Sequence, residues 1–126
     1  AYEETKKIIS SKPDTTAIFS HNDHMALGVR EAILEAGLRI PEDIAITGFQ
    51  GIYATSLAKV EITTNKQAQY EMGAIAAEIL INKIKNNHYS ATSQVILKPE
   101  LIIRSSLNWK IDEKKNDRTT GKKLAG

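Results

Sequence analysis

The 126-residue sequence predicts an α/β fold that contains part of a doubly wound parallel sheet. Short apolar runs at residues 16–20, 44–48 and 60–64 have the length of strands, and the first two are typical of strands buried on both faces of a parallel sheet. Helical patterns separate the runs, and alternation of strand and helix favours a parallel sheet. With the strands that are expected further along the chain, the sheet would contain about four or five strands, which is half of a doubly wound unit.

The first two helical segments differ in how they begin and end. Residues 1–10 have neither a methionine nor an N-cap, so they are predicted to be the middle of a helix in a larger protein. Residues 22–36 are predicted to form a complete helix that ends at the C-cap Gly37, before Pro41. The 3.6-residue spacing predicts its core face at Met25, Val29, Ala32, Ile33 and Ala36.

The longest predicted helix covers residues 66–86, and Thr64 and Gln67 have the spacing of a capping box in front of it. Its polar stripe is narrow, so this helix is expected to be buried on more than one side, by an oligomer contact or by a further domain. Residues 95–97 and 101–103 are predicted strands. Residues 110–126 are polar and are predicted to be a disordered tail, which leaves residues 1–109 as the folded domain.

Composition and charge exclude several function classes. Residues 1–109 contain eleven basic and twelve acidic side chains, and residues 110–126 contain six and three, so no clustered basic face for nucleic acid is indicated. The sequence has no cysteine, which excludes disulfides and thiol catalysis and fits a cytoplasmic location. No apolar run reaches the roughly 20 residues that a membrane span requires, so no membrane partner is expected.

Polar side chains follow the first two predicted strands, at His21, Asn22 and Gln50. In open α/β sheets, ligands bind outside the carboxyl ends of the strands, and amide side chains can both donate and accept hydrogen bonds to a hydroxyl-rich ligand. The alternative interpretation is that Asn22 or Asp23 only caps the helix that begins there, which is the commonest role of such residues.

Other chemistries are less well supported by the same segment. His21, Asp23 and His24 include common metal ligands, but their spacing is loose and no distant ligand cluster would complete a site, so no metal and no cofactor are predicted. Ser20, His21 and Asp23 are too close in sequence to form a catalytic triad, because neighbouring side chains at a strand end point in different directions. The usual glycine-rich nucleotide loops are absent from the sequence.

Two leucines on the second helix, Leu27 and Leu34, lie off the predicted core face with Arg30 between them. They are expected either to pack under a neighbouring loop or to contact a partner chain, and the sequence alone does not separate these alternatives.

Four segments resemble the LacI/GalR family of bacterial transcription regulators. Three of them are TAIFSHNDHMALG at residues 16–28, GLRIPEDIAITGF at residues 37–49 and KPELIIRSS at residues 98–106. The fourth lies between residues 63 and 78 and contains Thr63-Thr64, Met72-Gly73 and Ala76-Ala77-Glu78. They occur in the family's order and spacing. The resemblance implies the periplasmic binding protein-like fold, here the C-terminal lobe together with the crossover helix, because the helix at residues 66–86 belongs to the first lobe in that family.

The resemblance also implies a function and its residues. It implies an effector-binding and dimerising region with no catalysis, which contacts DNA only through a helix-turn-helix headpiece that the 126 residues do not contain. Asn22 corresponds to an effector-contacting asparagine and Leu27 to a leucine of the dimer interface, to which the segment with Tyr53 and Leu57 also contributes. Gln50 and Gly51 depart from the family's usual pair of aspartates, which puts binding of a sugar in doubt but not binding of an effector.

Three function hypotheses follow from the sequence. The first is a regulator fragment that senses a small polar effector as a homodimer or higher oligomer, and a basic helix-turn-helix upstream would support it. The second is a solute-binding protein of the same fold that acts in sugar transport, for which an upstream signal peptide would decide. The third is an α/β enzyme, which would need a nucleophile or metal cluster at the strand ends.

Overall fold

The computed structural model describes residues 1–85 and 94–107 and confirms an α/β fold with an open, mostly parallel sheet. The predictions for residues 108–126, including the disordered tail, lie outside the described residues. The elements in chain order are α1 (Tyr2–Ser11), β1 (Ala17–Phe19), α2 (Asp23–Glu35), β2 (Ala45–Gln50), a 3₁₀ turn (Tyr53–Thr55), β3 (Thr63–Lys66), α3 (Gln69–Lys85) and β4 (Glu100–Ile102).

The sheet has the strand order β1-β2-β3-β4. β1, β2 and β3 are parallel, and β4 is antiparallel to β3. The carboxyl ends of the three parallel strands therefore meet at one edge of the sheet, and the register there places Gln50 opposite Lys66. The third strand begins at Thr63, later than the predicted residue 60, because its ladder with β2 starts only at the pair Thr47 and Thr63.

The core lies between the sheet and α2, and α1 packs against α2 with Ile9 partly buried against the core. Ile33, Ile46 and Ile62 are completely buried, and burial of each such side chain contributes roughly 1.5–3 kcal/mol. The core cluster consists of Ala26, Val29, Ile33, Ile40, Ile44, Ile46 and Ile62. These apolar residues belong to α2, to β2 and to the connections before and after β2. Their packing holds α2 against the sheet.

The opposite face of the sheet is open in the described part of the chain. Phe19 is 66% exposed and Leu101 is 56% exposed, and both line a shallow cavity of about 240 Å³ on that face. The prediction that residues 16–20 are buried on both faces is therefore wrong for this chain, because α1 and α2 lie on one side of the sheet.

The prediction of the buried face of α2 is confirmed at Val29, Ala32 and Ile33 and is wrong at Met25 and Ala36. Met25 is 40% exposed and Ala36 is also exposed, whereas Asp23 and Ala26 are fully buried. The small Ala26 lies against Gly48 of β2, which brings the helix close to the sheet at this point. The predicted end of the helix is confirmed, since Gly37 adopts a φ of +75° and its amide donates to Leu34 O at 3.0 Å.

The long helix α3 begins at Gln69, and the predicted capping box is wrong, because Thr64 belongs to β3 and its hydroxyl donates to Asp23. No residue of α3 is buried. Its apolar side forms an open groove of about 450 Å³ with residues 95–97. These residues form no strand, because they pair in a ladder with no other residue that the structure describes. The large exposed hydrophobic residues of α3 are Tyr70, Met72, Leu80, Ile81 and Ile84. The prediction that an oligomer contact or a further domain buries this helix stays a prediction.

Ser106 joins the amino-terminal halves of β2 and β3. Its amide donates to Glu61 O, and its carbonyl oxygen accepts from the Ile46 amide at 3.0 Å. Its hydroxyl donates to Ile46 O at 2.7 Å and accepts from the Thr63 amide at 2.8 Å, in a fully buried position. The segment after β4 therefore completes hydrogen bonds that β2 and β3 do not make with each other, and it fixes their spacing.

Among residues 1–85 and 94–107, no helix is both long enough and apolar enough to cross a bilayer.

Candidate functional site

The carboxyl edge of the sheet is organised around Asp23, the first residue of α2. Its side chain is completely buried. Oδ2 accepts from the Gly51 and Ile52 amides at 2.8 and 2.9 Å, and Oδ1 accepts from the Thr64 hydroxyl at 2.7 Å. One carboxylate therefore ties the start of α2 to the loop after β2 and to β3, and charge-assisted bonds of this kind are the strong ones.

Asn22 lies directly before this carboxylate and is the N-cap of α2. Its Oδ1 accepts from the Met25 amide at 2.9 Å, which confirms the capping interpretation. The cap uses only the oxygen of the side chain. The Nδ2 group of this half-buried amide retains two donors, so capping and ligand binding are compatible at Asn22.

Gln50 has an unusual backbone at the end of β2. Its φ is +124°, a value that is rare for a residue with a side chain, and the next residue, Gly51, has a φ of +77°. A Cβ at Gly51 would lie 2.7 Å from Lys66 Cβ, so glycine is required for the loop to pass this close to β3. Strain of this kind costs about 1–3 kcal/mol and is concentrated at functional sites.

The other polar residues beside Asn22 differ in their exposure to solvent. His21 and His24 are exposed. Ser20 is buried, and its Oγ has no hydrogen-bond partner in the described structure. Among residues 1–85 and 94–107, no group of three or more histidine and carboxylate side chains is arranged to hold a metal ion.

The predicted interface residues lie on two surfaces. On α2, Leu34 is 40% exposed while Leu27 is partly buried against the core, and Arg30 forms an ion pair with Glu31. Tyr53 and Leu57, in the connection before β3, are 75% and 67% exposed.

The connection that carries Tyr53 and Leu57 is held by Arg104. The guanidinium Nη1 donates to Thr55 Oγ1 at 2.8 Å and to Ile62 O at 3.0 Å. The buried Thr55 hydroxyl in turn donates to Ile52 O at 2.6 Å. These bonds hold in place the backbone that carries the exposed Tyr53 and Leu57 side chains.

Sequence reasoning did not identify Asp23 as the organiser of the site. An aspartate in the first turn of a helix is ordinary, and its three donors are 28 to 41 residues away in sequence. Gly48 and Gly51 are the features of the sequence that could have indicated this role of Asp23. A Cβ at Gly48 would overlap Asp23 Oδ1, which shows that this glycine leaves room for the carboxylate.

A family model of the periplasmic binding protein-like domain matches residues 1–107. The HTH-type transcriptional repressor PurR of Pasteurella multocida (strain Pm70) is 40% identical over 106 residues, which cover 84% of this chain. The same alignment covers 31% of the repressor, so the chain spans about a third of the length of this relative.

Solved structures of LacI-type regulators share the fold. The LacI family transcriptional regulator from Arthrobacter sp. FB24, in complex with lactose, matches with a TM-score of 0.76 and 31% identity over 83% of this chain and 39% of that chain. The lac repressor dimer bound to operator and the anti-inducer ONPF matches with a TM-score of 0.75 and 27% identity over 83% of this chain and 31% of that chain. These relatives are transcriptional regulators, which are not enzymes, in agreement with the sequence prediction.

Proposed function

Because the chain belongs to the periplasmic binding protein-like domain family, in its LacI-type branch of transcriptional regulators, we propose that it is the effector-sensing and dimerising region of a cytoplasmic regulator. Its effector is a small polar molecule, and effector binding controls how a DNA-binding module of the whole protein meets its operator. Such a ligand can change operator binding only through different affinities for the two states of the protein.

The observation that carries this proposal is the pair of amides at the carboxyl edge. Asn22 keeps two donors after capping α2, and Gln50, which carries the second amide, is half-buried and follows a strained backbone. Both lie next to the loop that Asp23 fixes. His21, exposed beside Asn22, is included as a further contact at the rim. Donors and acceptors placed rigidly at parallel strand ends suit a ligand that carries several hydroxyl groups.

We expect Asn22→Ser to weaken binding of the effector at least tenfold. Serine caps helices about as well as asparagine, so the Met25 amide stays satisfied while the two Nδ2 donors are lost. The protein expressed from its intact reading frame is titrated by calorimetry with a panel of mono- and disaccharides and their derivatives. The matched control is Asn82→Ser, an exposed asparagine on α3. Unchanged affinity in Asn22→Ser, with normal folding, would remove Asn22 from the site.

Self-association belongs to the same proposal. Leu27, Arg30 and Leu34 on α2, with Tyr53 and Leu57 in the Arg104-braced connection, form the proposed contact between two copies. Leu34, Tyr53 and Leu57 expose large apolar area that water disfavours, and aromatic residues and arginine are enriched in such interfaces.

The chain is expected to sediment as a dimer or higher oligomer at roughly tens of micromolar. The double substitution Leu34→Glu and Leu57→Glu is expected to give a monomer, because it buries charges at the proposed contact. Ser10→Glu, which adds a charge at an exposed position of α1, serves as the control. A wild-type chain that sediments as a monomer, or a double variant that remains a dimer, would contradict this interface.

A further inference from the structure

The connection between β2 and β3 carries two of the proposed contact residues but little regular structure of its own. Residues 51–62 contain the short 3₁₀ turn Tyr53–Thr55 and are otherwise irregular. Tyr53 and Leu57 are largely exposed on this connection. A surface on an irregular segment binds a partner tightly when the segment is ordered beforehand, because ordering it on binding costs conformational entropy.

Thr55 is the residue at which the two halves of this connection are joined. It is completely buried. Its hydroxyl donates to Ile52 O at 2.6 Å, and its carbonyl oxygen accepts from the Ile62 amide at 3.1 Å. Ile52 is itself held through its amide, which donates to Asp23 Oδ2 at 2.9 Å. Both halves of the connection are therefore fixed through Thr55.

Arg104 links Thr55 to the sheet. The Arg104 amide donates to Thr63 Oγ1 at 2.9 Å, so the backbone that carries the guanidinium is anchored on β3. Nη1 donates to Thr55 Oγ1 at 2.8 Å and to Ile62 O at 3.0 Å, and these two bonds use both of its hydrogens. The side chain is 14% exposed, and its ion pair with Glu61 is long, at 3.9 Å. Arg104 therefore braces the connection against β3 from beneath the surface.

From these contacts we infer that Thr55 and Arg104 are positioning residues for self-association. They hold Tyr53 and Leu57 in the arrangement that a second copy binds, while both lie beneath the contact surface. The inference rests on the proposed interface and deepens it, because it assigns part of the dimer affinity to buried groups. Loss of either group lets the connection adopt other conformations, so the cost falls on association.

The test measures the dissociation constant of the dimer by sedimentation equilibrium and the free energy of unfolding by urea titration. Thr55→Val keeps the shape of the side chain but removes the hydroxyl, and we expect it to weaken the dimer about tenfold or more. Arg104→Lys keeps the charge but cannot place its donors in the same planar fork, so we expect a similar loss. Thr55→Ser restores the hydroxyl and is expected to recover most of the affinity.

Thr5→Val is the matched control for Thr55→Val. Thr5 is also buried, and its hydroxyl donates to Ala1 O at 2.9 Å within the first turn of α1. Both valine variants lose a buried hydroxyl that donates to a backbone carbonyl oxygen, so both should unfold at lower urea concentration than wild type. The dimer dissociation constant of Thr5→Val should stay within about twofold of wild type, since no contact residue depends on that hydroxyl.

The outcomes separate this inference from the interface itself. If Thr55→Val and Arg104→Lys fold and associate like wild type, the positioning role is wrong and the proposed interface remains. Should Thr55→Val fail to fold, Arg104→Lys decides by the same criterion. Equal weakening of the dimer in Thr5→Val and Thr55→Val would also overturn the role, because it would show a general effect of lost stability. A wild-type chain that stays monomeric would overturn the interface and this inference together.

Discussion

Replacing Asp23 with alanine is expected to destabilise the folded chain by about 3 kcal/mol or more. The substitution leaves the Gly51 and Ile52 amides without their carboxylate and the buried Thr64 hydroxyl without its acceptor. Each donor that loses its partner costs about 1–3 kcal/mol, and the donors here met a charged acceptor, although the Gly51 amide keeps a longer bond to Thr64 Oγ1 at 3.2 Å. The effect is measured as the free energy of unfolding from urea titration, with Asp14→Ala, an exposed aspartate, as the control.

The isosteric variant Asp23→Asn separates the contribution of the side chain's shape from that of its charge. An amide oxygen can still accept from the loop amides, and the amide nitrogen can donate to the Thr64 oxygen, so the loss should be about half that of alanine or less. An alanine variant as stable as wild type would show that the three hydrogen bonds do not hold the edge together. Equal losses in both variants would show that the negative charge matters and the shape does not.

Replacing Gly48 with alanine is expected to cost about 3 kcal/mol, because it inserts a methyl group between β2 and the start of α2. The added Cβ would overlap Asp23 Oδ1 and lie 3.3 Å from Ala26 Cβ. Overpacking alone costs about 1–3 kcal/mol, and here it also displaces the carboxylate from its donors. Unfolding by urea measures the loss.

Gly73 supplies the matched control for this substitution. In residues 1–85 and 94–107, no neighbouring atom lies within 4 Å of the Cβ that alanine would add at Gly73 in α3, so Gly73→Ala should be neutral or stabilising by up to about 1 kcal/mol. Because Gly48 and Asp23 are in contact, the variant that carries both Gly48→Ala and Asp23→Ala should lose less stability than the sum of the two single losses. Full additivity would indicate that Gly48→Ala acts elsewhere.

The alternation of strands and helices could be predicted from the sequence because its signals are local. The apolar runs before Ser20 and Phe49 mark β1 and β2, and Asn22 and Gly37 bound α2 as caps do. The face of α2 could not be fixed, because alanines lie on several sides of the helix and only the close approach at Gly48 selects Ala26 over Met25.

The organisation of the site depends on contacts between distant residues, which local patterns do not contain. The Thr64 hydroxyl fits a capping pattern equally well, and only the sheet shows that it donates to Asp23, 41 residues earlier. Residues 95–97 are apolar enough for a strand, but a strand also requires a ladder partner, and neither composition nor periodicity supplies one. Positions that only tertiary structure decides were therefore the ones predicted wrongly.

The most direct test of the binding edge is the pair of side-chain amide signals from Asn22 and Gln50 in ¹⁵N NMR spectra of the protein. They can be assigned from the spectra of Asn22→Ser and Gln50→Leu, and followed while the tightest sugar or sugar derivative of the panel is added. Both signals should shift together and saturate with the calorimetric affinity, while the Asn82 amide on α3 stays unchanged. Saturable shifts confined to α3 and residues 95–97, with both edge amides unmoved, would place the ligand elsewhere and contradict the account.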